Sequence, residues 1–491
     1  MTAGFGPVDQ AIVVLYLVGM LGVGVLTASR IRDFRDFFIA GGRLTTPLLV
    51  CTLVSTYYGL DVTFGSSETA FYEGIAAFVA YSAPFYLFYA ATALLVAPRL
   101  RRLSAISLPE VMGDAYGPPA RVAAALASFV YSAPIISVAG MGLIGATFFG
   151  IEPWLGCVVG ASIALAYTVL GGLLADAMTD AVQFTVMCLS AAIAAAVVLV
   201  TVGGPEAIGA RLGGEALAPL GNLSVWELLV FAGVAMTPLV EPAFYQRAFA
   251  AAATHQIVRA LLIGTVLWAC YDWIVVYLGL AGRDLVATGR LPADLDGSAA
   301  LLAVVAFALP PGLLGLFVAG CVAAAMSTVD SYTLIAAGNI VYDGWQAVSG
   351  RRLSDRTLLL ATRLLAVVTL AAALGLSLLF ERLRDAWIFM STVLLSTVLW
   401  PLLAVLFLPR LATPRSGRWS AIIGLGVSLT LFVVFQTLGS PTDDESLAVT
   451  VALAGRPLVV AREAGLLIAL PVSLVAFVAG WLADRRSGGA P

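Results

Sequence analysis

The sequence predicts an all-α polytopic membrane protein of about thirteen transmembrane helices, with its N-terminus outside and its C-terminus inside. Three observations predict it. Hydrophobic residues make up 61% of the 491-residue chain and charged residues 11%, too little charge to cover a soluble core of that size. Apolar runs of roughly 20 residues, enough to cross a ~30 Å hydrocarbon core as helices, recur along the whole chain. A β-barrel would show short alternating segments instead. The arginines, finally, partition as the positive-inside rule requires for this topology.

In order, the apolar runs fall at 8–29, 45–71, 74–98, 121–149, 152–171, 177–203, 224–248, 257–281, 310–341, 357–380, 386–409, 418–438 and 463–483. A short helix is expected near 298–308, within a loop. With the N-terminus outside, Arg30, Arg32, Arg35, Arg43, Arg99, Arg101, Arg102, Arg121, Arg247, Arg259, Arg351, Arg352, Arg356, Arg363, Arg410, Arg415, Arg418, Arg485 and Arg486 lie inside. Arg211, Arg283, Arg290, Arg382, Arg384, Arg456 and Arg462 lie outside. A missed or invented helix would scramble this asymmetry from that point on.

Composition closes off several functions. All 26 basic residues are arginine, and the net charge of −3 says nothing about partners in a lipid-facing chain. Nothing points to nucleic acid or to an obligate protein partner. Cys51, Cys157, Cys188, Cys270 and Cys321 fall in apolar runs without disulfide or metal spacing. His255 is the only histidine, which excludes a histidine-based metal site and the constellation a membrane-embedded enzyme needs. The start, MTAGFGPVDQ, has no basic residue before its apolar run and is not expected to be a cleaved signal peptide. The polar stretches are loop-sized, so residues 1–491 are read as one integral membrane transport domain.

Charge inside membrane helices is costly, about 2.5–3.5 kcal/mol per residue. Asp61, Glu241, Asp272 and Asp330 lie deep, and Glu68, Asp176, Asp180 and Glu227 lie nearer helix ends. No basic residue is expected deep enough to pair with the first group. Two helices look interrupted. One reads TYYGLDVTFGSSETAF, with Gly59 and Gly65 flanking Asp61; the other reads FAGVAMTPLVEPAFYQR, with Gly233, Pro238 and Pro242. Glycine lowers the cost of unwinding and proline removes a backbone donor. Each interrupted helix opens a block of five, 45–203 and 224–409, with 8–29 before them and 418–483 after. An odd number of helices per block inverts the second relative to the first. Interruptions at matching places in inverted halves point to a transporter's central site. A third signal is AGCVAAAMSTVDSY, where Ala324, Ser327, Thr328 and Ser331 follow i, i+3, i+4, i+7 spacing and share one face. Hydroxyls on a small-residue face serve either close helix packing or, with carbonyls freed by unwinding, a small cation such as Na⁺.

The chain resembles the solute:sodium symporter family, with its LeuT-like five-plus-five inverted-repeat core. The resemblance rests on RDFFIAGGR, on GGLLADAMTDAVQ (Gly171 to Gln183), on FYQRAFAAA (Phe244 to Ala252) and on AAAMSTVDS, in that order along the chain. It implies a sodium site with carbonyls from Ser55 and Tyr58 on the first interrupted helix, facing Ala324, Ser327 and Thr328. It also implies a sodium exit station at Asp180. The stretch TYYGLDVTFGSSETAFYEG is nearest to the high-affinity choline transporter branch, which has Thr-Trp in place of Thr56-Tyr57. Glu241 stands where that branch has an aromatic residue, so the cage for a quaternary ammonium is only partly present.

The expected function is therefore Na⁺-coupled symport of a small organic solute across the cell membrane by alternating access, without covalent chemistry. Tyr57, Asp61, Glu241, Phe244 and Asp272 are the expected solute contacts. Three deep carboxylates call for cations or protons, which favours an amine-containing or amino-acid-like solute. A sugar or carboxylate is the alternative cargo. A passive channel would not explain two opposed interruptions, and a solute sensor would usually carry a signalling domain.

Overall fold

In the computed structural model, residues 5–27, 33–221, 223–351, 353–377, 383–441, 447–453 and 456–487 are described. Arg30, Arg32, Arg352 and Arg382 from the arginine assignment lie outside them, as do the ends of the runs at 8–29 and 357–380. The chain is nearly all helix. Among the described residues ten helices are long and apolar enough to cross a membrane, or eleven when one bent pair counts as a span. Of the remaining runs, the first appears as an apolar helix at Pro7–Val23 and the fifth at Pro153–Ala164.

We number the helices along the chain: α1 Pro7–Thr27, α2 Thr46–Tyr57, α3 Leu60–Glu73, α4 Ala77–Leu100, α5 Pro118–Phe149 and α6 Pro153–Thr201. Then follow α7 Val225–Val234, α8 Pro242–Ala250, α9 Thr254–Ala287, α10 Leu313–Ser349, α11 Asp355–Ser377, α12 Arg384–Phe407, α13 Pro414–Leu438 and α14 Arg462–Arg486. The short helix in the loop spans Gly297–Ala308.

Three breaks shape this bundle. α2 and α3 meet at 53° across Tyr58 and Gly59, and the helix then runs unbroken through Gly65. Gly59 is required there, because a Cβ would lie 2.4 Å from Thr328 Oγ1. α6 breaks at Gly172, whose φ of 56° suits glycine and whose missing Cβ leaves room for Phe37. The break separates the fifth and sixth apolar runs. α7 and α8 flank a single 3₁₀ turn, Thr237–Leu239, entered at Pro238 and left at Pro242.

Polar caps tie the outer layer to the core. Asp9, fully buried, accepts from the backbone N–H groups of Gly312 and Gly315 at 2.7 Å each, which pins α1 to the start of α10. A small sheet departs from the all-α expectation. Strands β1 Ser440–Pro441, β2 Leu447–Leu453 and β3 Arg456–Ala461 pair antiparallel, with Ala448 opposite Ala461 and Val451 opposite Leu458. The Val- and Thr-rich alternation of LAVTVAL suits a pleated strand, and the sheet lies between α13 and α14, away from the breaks.

Candidate functional site

The break between α2 and α3 faces the middle of α10. Ser327 Oγ donates to the Ser55 carbonyl at 2.8 Å and to the Ala324 carbonyl at 3.0 Å. Thr328 Oγ1 donates to the Thr56 carbonyl at 3.1 Å and to the same Ala324 carbonyl at 3.0 Å. Two hydroxyl protons are thus shared among three carbonyls, leaving a surplus of oxygen lone pairs in a buried cluster. Five neutral oxygens of this kind are the ligand type a hard monovalent cation takes. Ser55, Ala324, Ser327 and Thr328 come together as the sequence suggested. The second backbone oxygen bonded from α10 is that of Thr56, one residue past Ser55. Tyr58, named for its carbonyl, lies at the break itself, and its hydroxyl donates to Asp272 Oδ2 at 2.6 Å.

Beside the break lies a small pocket lined by Tyr57, Tyr58, Asp61, Val62, Ser66, Tyr81, Ser82, Phe85, Tyr89, Asp272 and Trp387. It combines two carboxylates with six aromatic rings. Asp272 Oδ2 accepts hydrogen bonds from both Tyr58 and Tyr86. Asp61 Oδ1 is buried without a hydrogen-bond partner. Asp61 also lines a second small pocket, shared with Tyr131, Thr328, Tyr332 and Met390. Thr328 therefore touches both the break and the cavity that Asp61 enters.

The other two expected solute contacts stand behind these walls. Phe244 packs against Tyr57, with ring centroids 4.9 Å apart, and stacks on Trp268 at 5.6 Å. Glu241 caps α8 through Ala243 N and accepts from Tyr332 Oη at 3.0 Å. It lines neither cavity, and the tyrosine that contacts it does. The rings of Tyr81, Phe85, Tyr89 and Trp387 went unnoticed in the sequence because they sit in ordinary apolar runs on α4 and α12.

A buried polar network adjoins the break. Arg247 of α8 is 0% exposed and pairs with Asp176 of α6 at 3.1 Å. Asp176 is one of the carboxylates placed nearer helix ends, so the pair does not bear on the expectation for Asp61, Glu241, Asp272 and Asp330. Arg247 sits three residues from the end of its helix, all of whose residues are buried. Asp180, one turn after Asp176, is fully buried, with Oδ2 3.5 Å from Thr56 Oγ1 and Oδ1 without a partner.

The sodium:solute symporter family model matches residues 37–424. The chain belongs to the sodium:solute symporter family. Among solved structures it is similar to a Na⁺-coupled sialic acid symporter in a substrate-bound outward-open state. That match has 18% identity, covers 97% of this chain and 98% of the other, and has a TM-score of 0.77. It is also similar to Mhp1, a nucleobase-cation-symport-1 family transporter bound to bromovinylhydantoin, at 13% identity, 91% and 95% coverage and a TM-score of 0.56. A third likeness is to MhsT in complex with L-phenylalanine, at 14% identity, 90% and 98% coverage and a TM-score of 0.50. These likenesses show a shared LeuT-like architecture. This sodium:solute symporter is a multi-pass membrane transporter that uses Na⁺ as its coupling ion, and the family and fold are those of transporters.

Proposed function

We propose that this symporter imports a small organic solute bearing an ammonium or guanidinium group into the cell, with thirteen spans, the N-terminus outside and the two five-helix blocks as inverted repeats. The observation that carries the solute class is Asp61. Its Oδ1 is buried and unpartnered in a cavity walled by aromatic rings. A buried carboxylate oxygen without a partner is costly, and an ammonium group would supply both the missing donor and the opposite charge. Asp272 is already held by two tyrosines, so it orients those rings more than it recruits cargo. Tyr57, Tyr81 and Trp387 offer faces to a cation.

Na⁺ enters between α2 and α10 and takes the Ser55, Thr56 and Ala324 carbonyls and the Ser327 and Thr328 hydroxyls as ligands. The hydroxyls rotate from donating to those carbonyls to offering their own lone pairs. Because Gly59 lets Thr328 approach the α2–α3 break and Asp61 follows two residues later, ion occupancy sets the position of the Asp61 carboxylate. A tenfold Na⁺ gradient and 100 mV release about 1.4 and 2.3 kcal/mol per ion, enough for roughly a few-hundred-fold accumulation of a zwitterion.

A quaternary ammonium is a second reading, because six rings line the Asp61 cavity, although Glu241 is not one of them. Competition separates the two. Na⁺-dependent uptake by proteoliposomes should be inhibited by primary amines or amino acids far better than by sugars or monocarboxylates. Stronger inhibition by choline-like cations than by primary amines selects the second reading. A sugar or carboxylate as best competitor overturns the cationic assignment and leaves Na⁺ coupling in place.

A further inference from the structure

Arg247 contributes neither to the Na⁺ ligands nor to the solute cavity, yet it is surrounded by oxygen. Its Nη2 lies 2.6 Å from Ser331 Oγ, 3.0 Å from Thr52 Oγ1, 3.0 Å from Thr56 Oγ1 and 3.1 Å from Asp176 Oδ2. Nη1 donates to Gln246 Oε1 at 2.7 Å. One guanidinium nitrogen carries two protons and cannot make four directed hydrogen bonds. The four oxygens therefore hold it chiefly as a charge, as they would hold a metal ion.

One of those oxygens belongs to a residue of the Na⁺ site, and a second belongs to a neighbour one turn away. Thr56 gives its carbonyl to Thr328 and its hydroxyl to Arg247. Ser331 sits one turn beyond Ser327 on the same face of α10 and also donates to Asp176 Oδ2 at 2.8 Å. The cage lies on the side of the Na⁺ ligands where α2 begins and α8 ends, the side that carries Arg35, Arg43, Arg99, Arg101 and Arg102. Asp180, with its unpartnered Oδ1, lies beside it. α8 is stitched into that face. Leu44 N donates to the Ala250 carbonyl at 2.9 Å, Ala252 N to the Leu44 carbonyl at 2.9 Å, and Gln246 Nε2 to the Phe38 carbonyl at 2.8 Å. The guanidinium therefore arrives on a short buried helix bounded by extended residues at Glu241 on one side and at Ala251 and Ala253 on the other, which lets it move as a unit.

We propose that Arg247 is a tethered cation that closes the Na⁺ exit: its guanidinium fills the oxygen cage between the Na⁺ ligands and Asp176, and Na⁺ leaves on this side only when α8 withdraws it. The proposal rests on the Na⁺ site described above. Electrostatics gives the closure its sense. A fixed positive charge next to the site repels an ion moving that way, and it neutralises the carboxylate that would otherwise draw the ion out. Moving α8 removes the barrier and exposes Asp176 and Asp180 together. Inward release of Na⁺ then needs the rearrangement of the second broken span, which ties ion exit to the conformational change that releases solute.

The test uses the full-length protein in proteoliposomes and reads ²²Na⁺ efflux without solute alongside equilibrium Na⁺ binding. Arg247→Gln should raise solute-independent efflux by about tenfold or more and leave Na⁺ binding unchanged or several-fold tighter, since a competing charge is gone. A purely structural arginine predicts the reverse, weaker Na⁺ binding with no added efflux, and that result overturns the proposal. Arg247→Lys keeps the charge and loses the planar fork, and should show an intermediate leak. Should Arg247→Gln fail to fold, Ser331→Ala removes one cage oxygen with little change in packing and should raise efflux about threefold; no rise there overturns the proposal. Absence of Na⁺ binding in the unmodified protein would instead refute the ion site itself, so the two failures are distinguishable.

Discussion

The two broken spans are broken differently. At the α7–α8 break the freed carbonyls are tied off by structural side chains: Val234 by Thr237 Oγ1 at 2.5 Å, Pro238 by Thr92 Oγ1 at 2.9 Å and Leu239 by Tyr245 Oη at 2.8 Å. Proline enforces this break and the backbone is satisfied permanently. At the α2–α3 break there is no proline, and the Ser55 and Thr56 carbonyls meet hydroxyls from another helix that share their protons with Ala324. Those hydroxyls can turn and accept an ion. Interruption alone does not make an ion site; what matters is whether the freed oxygens are already committed. On the proposed reading, the first break has oxygens left to bind an ion and the second does not.

Filling the first gap is the strongest way to break the comparison. In Gly59→Ala the new Cβ would stand 2.4 Å from Thr328 Oγ1 and 2.7 Å from Asp61 Oδ1. We expect Na⁺-driven uptake to be abolished while the protein still elutes as a folded species in detergent. Normal uptake would show that the two helices need not touch there.

Removing the solute acid should give a smaller and selective effect. Asp61→Asn keeps the shape and loses the charge, so solute affinity should fall about tenfold to a hundredfold, the range for a hydrogen bond to a charged group. Na⁺ affinity measured without solute should change by less than about threefold, well under the 1.4 kcal/mol of a tenfold change. Binding assays in both ligands check this, and parallel losses would move Asp61 into the ion site. Asp180→Asn should act on rate, slowing turnover several-fold more than it weakens equilibrium Na⁺ binding. Equal losses in both, or in neither, would count against an exit role.

The smallest effect belongs to the second break. Thr92→Val and Tyr245→Phe each leave a buried carbonyl unpaired, which costs about 1–3 kcal/mol. Thermal melts should therefore shift downward while the Na⁺ dependence of uptake stays unchanged. A shifted Na⁺ dependence would mean the second break also handles the ion.

What the sequence shows of this molecule follows how local each feature is. The spans were legible because a membrane demands long apolar runs, and both breaks were legible because Gly59, Pro238 and Pro242 are local signals. The hydroxyl face of Ala324, Ser327 and Thr328 was legible for the same reason, since helical spacing lies within a single turn. The aromatic wall was not, because Tyr81, Phe85, Tyr89 and Trp387 come from two separate spans and look like ordinary membrane residues until the bundle brings them to Asp61. Arg247 was counted among the inside arginines near a helix end, and only the docking of α8 against residues 38–44 shows that this end is buried. Glu241 lay at the expected break, but its carboxylate points to Tyr332, which no spacing rule reveals.

The most direct test of the account is a Na⁺ titration of Ser327→Ala combined with Thr328→Ala, by calorimetry or ²²Na⁺ binding on the purified protein. Two hydroxyl ligands are lost from a charged partner, at about 1.5–3 kcal/mol each. The half-saturating Na⁺ concentration should therefore rise by about a hundredfold or more, with the protein still folded in Na⁺-free buffer but melting lower, because the Ser55 and Thr56 carbonyls lose their donors. A double variant that binds Na⁺ as the unmodified protein does would place the ion elsewhere and contradict the assignment of the first break as its site.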